Sequence, residues 1–283
     1  RPPSIPFMLR VMRALFATLG PVFPGTMGGW AYDLWFRTRR YPDSNAGKRA
    51  AARAERATLQ VDSTPVAVYS WGSGPAVLFI HGWTGRGTQV AAFVEPLTNA
   101  GYRVIGVDAP GHGETPGDRT NILECAAVVK AVGEAYGPLH GAITHSFGGM
   151  VLAYAMNHGV SVGRVVCLSP PARVEFLVER FANIMNMPAA VIAELRRRLE
   201  QRFDTTIWEA VSTDSNARNL EVPALIIHDE DDEGVPWQQG QMIADAWPGA
   251  RFIRTQGLGH NRILRDPATV RTVVGFISEG TAA

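Results

Sequence analysis

The chain has 283 residues, of which 46% are hydrophobic and 19% charged, a composition that excludes a disordered or fibrous protein and suits one large globular domain. Its 27 basic and 26 acidic side chains leave a formal net charge of +1. Because no overall field would attract nucleic acid, we expect a small molecule as the partner and no nucleic acid.

An amphipathic helix is predicted near the start of the chain, within an N-terminal segment of residues 1–50. Arg10 and Arg13 fall on a different side of the helical wheel from the apolar residues. The apolar residues that recur at helical spacing are Phe7, Met8, Val11, Met12, Leu15, Phe16 and Leu19. The helix is too short, and too often interrupted by arginine, to cross a bilayer. Two interpretations stay open: the helix packs against the main domain, or residues 5–20 contact a membrane surface.

The cysteines and the N-terminal segment indicate where in the cell the protein is expected. No cleavage site of a signal peptide follows the N-terminal helix, which favours a cytoplasmic protein, with attachment to a membrane as the alternative. The two cysteines, Cys125 and Cys167, lie in apolar surroundings without C-x-x-C spacing. A reduced, buried pair is therefore expected.

Short apolar runs then alternate with longer helical patterns. The first two runs, at 58–61 and 66–69, are too close together for a parallel crossover, so we expect them to pair antiparallel. Six later runs are typical of buried parallel strands, at 77–80, 104–107, 141–144, 165–168, 225–227 and 252–253. Helices are predicted between and after them, at 88–100, 120–136, 147–159, 237–247 and 267–279. The alternation predicts a mostly parallel α/β sheet of about eight strands, flanked by helices.

One interval interrupts this alternation. Residues 171–220 contain no strand-like run, but two stretches in the interval have helical periodicity. The sequence thus predicts a core formed by residues 51–170 and 221–283, with residues 171–220 as a helical insertion.

A candidate nucleophile lies between a predicted strand and a predicted helix. The segment Thr144-His145-Ser146-Phe147-Gly148-Gly149 has the context of a nucleophile elbow, in which a sharp turn projects the serine hydroxyl above the sheet. Gly148 supplies the small residue after the serine, whereas Thr144 occupies the position where the usual G-x-S-x-G pattern has glycine. Ser146 is the predicted nucleophile.

A second loop, His81-Gly82-Trp83, follows the strand at 77–80. An oxyanion needs main-chain N–H donors, and with such an elbow one comes from the residue after the serine and one from this loop. The predicted donors are Phe147 and Trp83. His81 is expected to shape the loop by hydrogen bonding.

The turn at 108–113 is expected to be structural. Asp108 and His112 could be considered metal ligands, but two ligands without a further cluster make a poor site. We predict no metal and no organic cofactor.

A serine nucleophile also needs a base, and an acid that orients the base. His260 lies in a glycine-rich loop after the last predicted strand and is the candidate base. The acid comes from the run that follows the strand at 225–227, where Asp229, Asp231 and Asp232 all remain candidates on position alone.

Five motifs together resemble the series found in the α/β-hydrolase superfamily, across roughly residues 58–280. They are H-G-W, D-A-P-G-H-G, H-S-F-G-G, the acidic run ending in V-P, and G-L-G-H. The resemblance implies the α/β-hydrolase fold, a helical lid formed by residues 171–220, and Asp232 as the acid, because many members place it four residues before the proline of V-P. The triad is then Ser146, Asp232 and His260.

The resemblance implies a serine hydrolase that cleaves a small ester-like substrate through an acyl-enzyme, and we expect a carboxylesterase. Serine at the elbow argues against dehalogenases and epoxide hydrolases, which use aspartate there. Trp83, Phe147 and Phe181 are the predicted substrate-binding residues. The alternatives are a non-catalytic ligand-binding homologue and a membrane-surface lipase or thioesterase.

Overall fold

The computed structural model describes residues 6–279. The ends of the predicted N-terminal segment and of the predicted core, residues 1–5 and 280–283, lie outside this description. The chain divides into two compact units. The smaller unit contains residues 6–37 and Arg173–Ala210, and the larger one contains Thr38–Ala172 and residues 211–279.

The larger unit contains an eight-stranded sheet within the described residues. Its strands are β1 (Glu55–Val61), β2 (Thr64–Trp71), β3 (Ala76–Ile80), β4 (Arg103–Val107), β5 (Leu139–His145), β6 (Val165–Leu168), β7 (Ala224–Asp229) and β8 (Arg251–Thr255). Their order is β1-β2-β4-β3-β5-β6-β7-β8. The strand β2 pairs antiparallel with β1 and β4, and all other pairs are parallel. The predicted, mostly parallel α/β sheet is confirmed.

The helices, in chain order, are α1 (Phe7–Leu19), α2 (Pro24–Trp35), α3 (Asn45–Ala52), α4 (Ala91–Asn99), α5 (Ile122–Tyr136), α6 (Phe147–Asn157), α7 (Val174–Met185), α8 (Ala189–Phe203), α9 (Ile207–Ala210), α10 (Thr213–Ala217), α11 (Trp237–Ala246), α12 (Gly259–Arg262) and α13 (Pro267–Ser278). A 3₁₀ turn, Gly87–Val90, precedes α4. Capping side chains fix where two of these helices begin. The Asn121 side chain accepts hydrogen bonds from main-chain N–H groups in the first turn of α5, and the Asp266 side chain caps α13 in the same way.

Helices flank both faces of the sheet, so its central strands are buried on both sides. In β3 every residue is buried. Its alternate residues belong to two different clusters: Leu78 packs with side chains of α5 and α6, whereas Phe79 packs with those of α4 and α13. This two-residue alternation is that of a pleated strand. It explains why the parallel strands are continuous apolar runs in the sequence.

The smaller unit has its own apolar core. The side chains of Met12 and Phe16 in α1 and of Ala31 in α2 pack with Val178 of α7 and Leu195 of α8. The Phe16 and Trp30 rings stack with centroids 4.8 Å apart. The N-terminal segment and the insertion, predicted as separate regions, therefore share one core because each provides an apolar helix face that the other covers.

The unit boundaries also differ from the predicted boundaries at 50, 170 and 220. Thr38 belongs to the larger unit because its N–H donates to the Asp118 carbonyl and its hydroxyl to that of Gly111. The helix α10 belongs there too, since the Thr213 hydroxyl donates to the Pro171 carbonyl. The role of residues 171–220 as a lid stays a prediction. Within residues 6–279, no helix combines the length and hydropathy that crossing a membrane requires.

Candidate active site

Ser146 lies in the sharp turn between β5 and α6. Its backbone angles are φ 51° and ψ −123°, in the region that favours glycine. The Ser146 N–H donates to the Leu168 carbonyl on the neighbouring strand, at 2.9 Å. A methyl group at Gly148 would collide with the Ile80 carbonyl oxygen, so only glycine lets α6 begin this close to the end of β3. The turn thus has the geometry of a nucleophile elbow.

Thr144, which departs from the usual elbow pattern, is fully buried in β5. Its hydroxyl donates to the Val166 carbonyl at 3.3 Å. The neighbouring strand therefore satisfies the polar atom that threonine introduces, and the elbow forms without glycine at this position.

Asp232 and His260 form a hydrogen-bonded pair. The imidazole Nδ1–H of His260 donates to Asp232 Oδ2 at 2.7 Å. The other carboxylate oxygen accepts the main-chain N–H groups of Gly234 and Val235, at 2.7 and 2.8 Å. Burial by itself raises the pKa of Asp232, but hydrogen bonds from His228 and His260 outweigh it and hold this pKa well below its usual range. Asp232 is consequently an ionised acceptor that orients the ring.

The neighbouring carboxylates bind the loop that carries His260. Asp229 accepts hydrogen bonds from the main-chain N–H groups of Leu258 and Gly259, at 3.1 and 2.8 Å. Asp231 accepts the N–H of Gly257 at 2.8 Å. The acidic run therefore divides into one carboxylate on the imidazole and two on the loop backbone, a division that sequence position left open.

His145 connects the elbow to the His260 loop. Its Nε2–H donates to the His260 carbonyl at 2.8 Å, and the two rings lie 4.8 Å apart, centroid to centroid. Burial lowers the pKa of His145 to about 3, so its ring is neutral. Within residues 6–279, no hydrogen bond joins Ser146 Oγ directly to His260.

The loop after β3 is held by two buried histidines. His81 donates from Nδ1 to the Gly82 carbonyl at 2.7 Å and accepts the Ala109 N–H on Nε2 at 3.0 Å. His112 accepts the Thr84 N–H on Nε2 at 3.0 Å. Burial lowers the pKa of both histidines to about 4. Both are neutral and use their ring nitrogens to shape the loop.

Two main-chain N–H groups beside this loop have no acceptor in the described part of the chain. Among residues 6–279, the N–H groups of Trp83 and Phe147 donate no hydrogen bond, whereas that of Thr84 donates to His112. Phe147 is the first residue of α6, where helical N–H groups lack partners and the helix dipole favours negative charge. The Trp83 and Phe147 rings meet edge to face, with centroids 5.3 Å apart. The side chains of the two predicted oxyanion donors are thus in contact, and their role as donors stays a prediction.

Phe181 lies in α7 of the smaller unit, where its ring packs edge-on against Trp35 at 5.4 Å. Its part in substrate binding stays a prediction.

Within the described part of the chain, no group of three or more His, Cys, Asp or Glu side chains could hold a metal ion. Cys125 and Cys167 are buried and form no disulfide with each other. Burial raises the pKa of Cys125 to about 12 and that of Cys167 to about 11, so both stay protonated thiols.

Two residues near the site were not singled out from the sequence: His145 and His228. His145 directly precedes the serine, and His228 leads the acidic run, so their positions were the available signal. The hydrogen-bond partner of His145, the His260 carbonyl, is far away in the chain, and such a pairing leaves no local trace in the sequence. The ring of His228 instead bonds the nearby Val235 carbonyl.

Residues 77–273 match the alpha/beta hydrolase family, and the chain belongs to this family.

Curated relatives agree with this membership. The chain is 26% identical over 190 residues to the lysophosphatidylserine lipase ABHD12 of Danio rerio, a match that covers 61% of this chain and 47% of that protein. The chain thus spans about half the length of that relative. It is 23% identical to the bifunctional esterase/perhydrolase DCH of Acinetobacter calcoaceticus, with 76% of this chain and 97% of that protein covered.

A similar solved structure is the esterase EaEST of Exiguobacterium antarcticum. The TM-score is 0.62 at 19% sequence identity, and the match covers 80% of this chain and 100% of the esterase chain. The likeness demonstrates the shared fold.

Proposed function

We propose that the protein is a serine hydrolase that cleaves an ester-like acyl bond through an acyl-enzyme, with Ser146 as nucleophile, His260 as base and Asp232 as the orienting acid. The observation that carries the proposal is the 2.7 Å hydrogen bond from His260 Nδ1 to Asp232, on a loop that His145 ties to the elbow. It supports the ring tautomer that a general base needs.

The chemistry follows from this tautomer. With its Nδ1–H donated to Asp232, His260 has a lone pair on Nε2 that takes the proton of Ser146 Oγ as the oxygen attacks the carbonyl carbon. The N–H groups of Trp83 and Phe147 stabilise the oxyanion. His260 then protonates the leaving alcohol, and water releases the acid from the acyl-enzyme by the reverse sequence. No step requires a metal or an organic cofactor.

The proposed substrate is a carboxylic ester with a small or medium apolar acyl group. The Trp83 and Phe147 side chains are half-buried and meet beside the two unpaired N–H groups, so they offer an apolar wall next to the oxyanion position. When an acyl chain packs on these rings, both the chain and the rings are removed from water, which favours binding.

The test compares Ser146→Ala with Ser169→Ala. Ser169 is a matched control, because it directly follows β6 with a φ of 50° and its buried hydroxyl has no hydrogen-bond partner in the described residues. On p-nitrophenyl esters of graded chain length, Ser146→Ala should lose about 10⁴-fold or more in kcat, whereas Ser169→Ala should keep near-normal turnover. A fluorophosphonate should label Ser146 in the folded protein.

Two outcomes would reject the proposal. Full activity in Ser146→Ala would show that Ser146 is not the nucleophile. A folded wild-type protein that neither turns over esters nor reacts with the fluorophosphonate would favour the non-catalytic, ligand-binding alternative.

A membrane-surface lipase is the second candidate function. The similarity to the lysophosphatidylserine lipase of Danio rerio favours it. Turnover of lysophospholipids at a higher kcat/KM than that of p-nitrophenyl esters of equal chain length would favour the lipase over the soluble esterase. The opposite ranking would favour the esterase.

A further inference from the structure

The first helix and the segment after it expose an apolar surface, which we call the N-terminal apolar face. Phe7 and Met8 are 72% and 64% exposed, and Val22 and Phe23 are 66% and 56% exposed. Among residues 6–279, the exposed large apolar side chains of this face are Phe7, Met8, Val11, Leu15, Leu19, Val22 and Phe23. Contiguous exposed apolar side chains of this size are unusual in a soluble domain and typically mark a binding surface.

The exposed side chains lie on a helix whose adjacent side is packed. At 100° per residue, the exposed apolar residues of α1 fall within an arc of about 120°. Met12 and Phe16 follow directly on this arc, at about 140° and 180° from Phe7, and are buried in the core of the smaller unit. Arg13 donates to the carbonyls of Asn183 and Ile184, at 3.1 and 2.5 Å. The helix is therefore held in place with its apolar face outward.

The charges within the stretch of chain that forms this face have one sign. Residues 6–32 contain two charged side chains, Arg10 and Arg13, and no carboxylate. Arg13 is used to hold α1, whereas Arg10 is exposed, with its guanidinium 6.0 Å from the centroid of the Phe7 ring. A partner that complements this face must offer both an apolar medium and negative charge. A second copy of the same face would bring arginines and no carboxylate to pair with them.

We propose that the N-terminal apolar face docks on an anionic lipid bilayer, with its large apolar side chains among the acyl chains and Arg10 at the level of the lipid phosphates. An interfacial helix has this division between apolar and basic side chains. The long arginine side chain can reach the phosphates while its stem stays in apolar surroundings. The proposal is independent of the hydrolase chemistry, because it does not involve the elbow or the acidic run.

The experiment is flotation of the full chain with vesicles of phosphatidylcholine alone and of phosphatidylcholine with phosphatidylserine. The wild type should bind the anionic vesicles more tightly than the neutral ones. The triple variant Phe7→Ser/Met8→Ser/Phe23→Ser should bind both at least about 10-fold more weakly, since burial of each of these side chains contributes to binding. Arg10→Gln should lose about 5-fold on anionic vesicles and be unchanged on neutral ones.

Matched controls separate this surface from general effects. Ile253→Ser removes an exposed apolar side chain from β8 of the larger unit and should bind vesicles like the wild type. The triple variant should keep its circular dichroism spectrum and its turnover of a soluble p-nitrophenyl ester, because its substitutions are at exposed positions. Binding is measured without turnover and can be repeated in Ser146→Ala, so failure of the hydrolase proposal would leave this result intact.

Three outcomes would overturn the proposal. One is a wild type that binds neither vesicle. Another is a loss in Ile253→Ser equal to that of the triple variant. The third is light scattering that shows a dimer for the wild type and a monomer for the triple variant, with no vesicle binding, which would assign the face to a second copy of the chain.

Discussion

The hydrogen bond from His145 to the His260 carbonyl makes His145 a candidate positioning residue. Within the described residues, its ring forms no hydrogen bond with the Ser146 hydroxyl. The ring instead holds the backbone that carries the proposed base, His260. The neutral ring donates from Nε2, and burial, which keeps its pKa near 3, prevents it from acting as a proton carrier around neutral pH. Its effect on turnover would therefore be indirect.

For this residue we expect that His145→Leu lowers kcat about 10- to 100-fold with little change in KM, because the donor is lost while the apolar wall of the site is kept. His145→Gln, whose amide nitrogen can reach the same carbonyl, should recover much of kcat. Steady-state kinetics on a p-nitrophenyl ester measures both. Equal losses in the two variants would contradict a role through the hydrogen bond.

The choice among the carboxylates of the acidic run also belongs to single residues. Asp229 and Asp232 are three positions apart, and both are buried and both lie near His260. The two carboxylates differ in orientation. Asp232 accepts a hydrogen bond from the His260 imidazole, whereas Asp229 accepts one from the main-chain N–H of Gly259, the residue before His260. Composition and spacing do not distinguish these carboxylates from each other. The residues alone therefore limited the candidates for the acid to the acidic run, and only the family resemblance favoured Asp232 within it.

At the level of elements, the approach of α6 to β3 depends on one glycine. Gly148 lies in the first turn of α6, and a side chain there would collide with the Ile80 carbonyl. The start of α6 carries Ser146 and Phe147, and the loop after β3 carries Trp83. Displacing these two elements would separate the two proposed oxyanion donors.

We therefore expect Gly148→Ala to lower the free energy of unfolding by about 1–3 kcal/mol through overpacking, and to lower kcat as well. Gly275→Ala is the matched control, because Gly275 lies in α13 with no atom near the added methyl group. This control should be stabilised by about 0.5–1 kcal/mol and keep full activity. Urea denaturation and ester hydrolysis measure the two quantities. A Gly148→Ala protein as stable and active as the control would contradict the close-approach explanation.

The elements themselves were predictable because their signals are local. Both the antiparallel start, from two runs only a few residues apart, and the parallel strands, from continuous apolar runs, occur in the structure as predicted. The packing partner of α1 was not predictable in the same way. Its periodicity shows an apolar stripe, but the buried side chains Met12 and Phe16 find their partners in α7 and α8, more than a hundred residues away.

For the molecule as a whole, the buried histidines make stability depend on pH. Burial lowers the pKa of His81 and His112 to about 4 and that of His145 to about 3. In the unfolded chain these residues return to a pKa of about 6.5. The unfolded state thus binds more protons below this value, and the free energy of unfolding falls as the pH falls from about 6.5 towards the folded pKa values.

Between pH 8 and pH 5.5 we expect a loss of about 1.4 kcal/mol for each of these histidines that becomes exposed on global unfolding. Urea denaturation at the two pH values measures the loss. His112→Gln, whose amide oxygen can still accept the Thr84 N–H, should show a smaller decline than the wild type. The explanation would be wrong if stability were constant over this range, or if the variant declined as steeply as the wild type.

The sequence by itself determined the α/β sheet and the strand-to-helix turn at Ser146, because periodicity and turn residues act over a few neighbouring positions. It also determined that a histidine and a carboxylate follow the last strands. Only the tertiary structure decided that Asp232 faces the His260 ring, that His145 holds its loop, and that the N-terminal helix shares a core with the insertion. Those arrangements depend on hydrogen bonds and packing between segments far apart in the chain, whose directions are set when the segments meet.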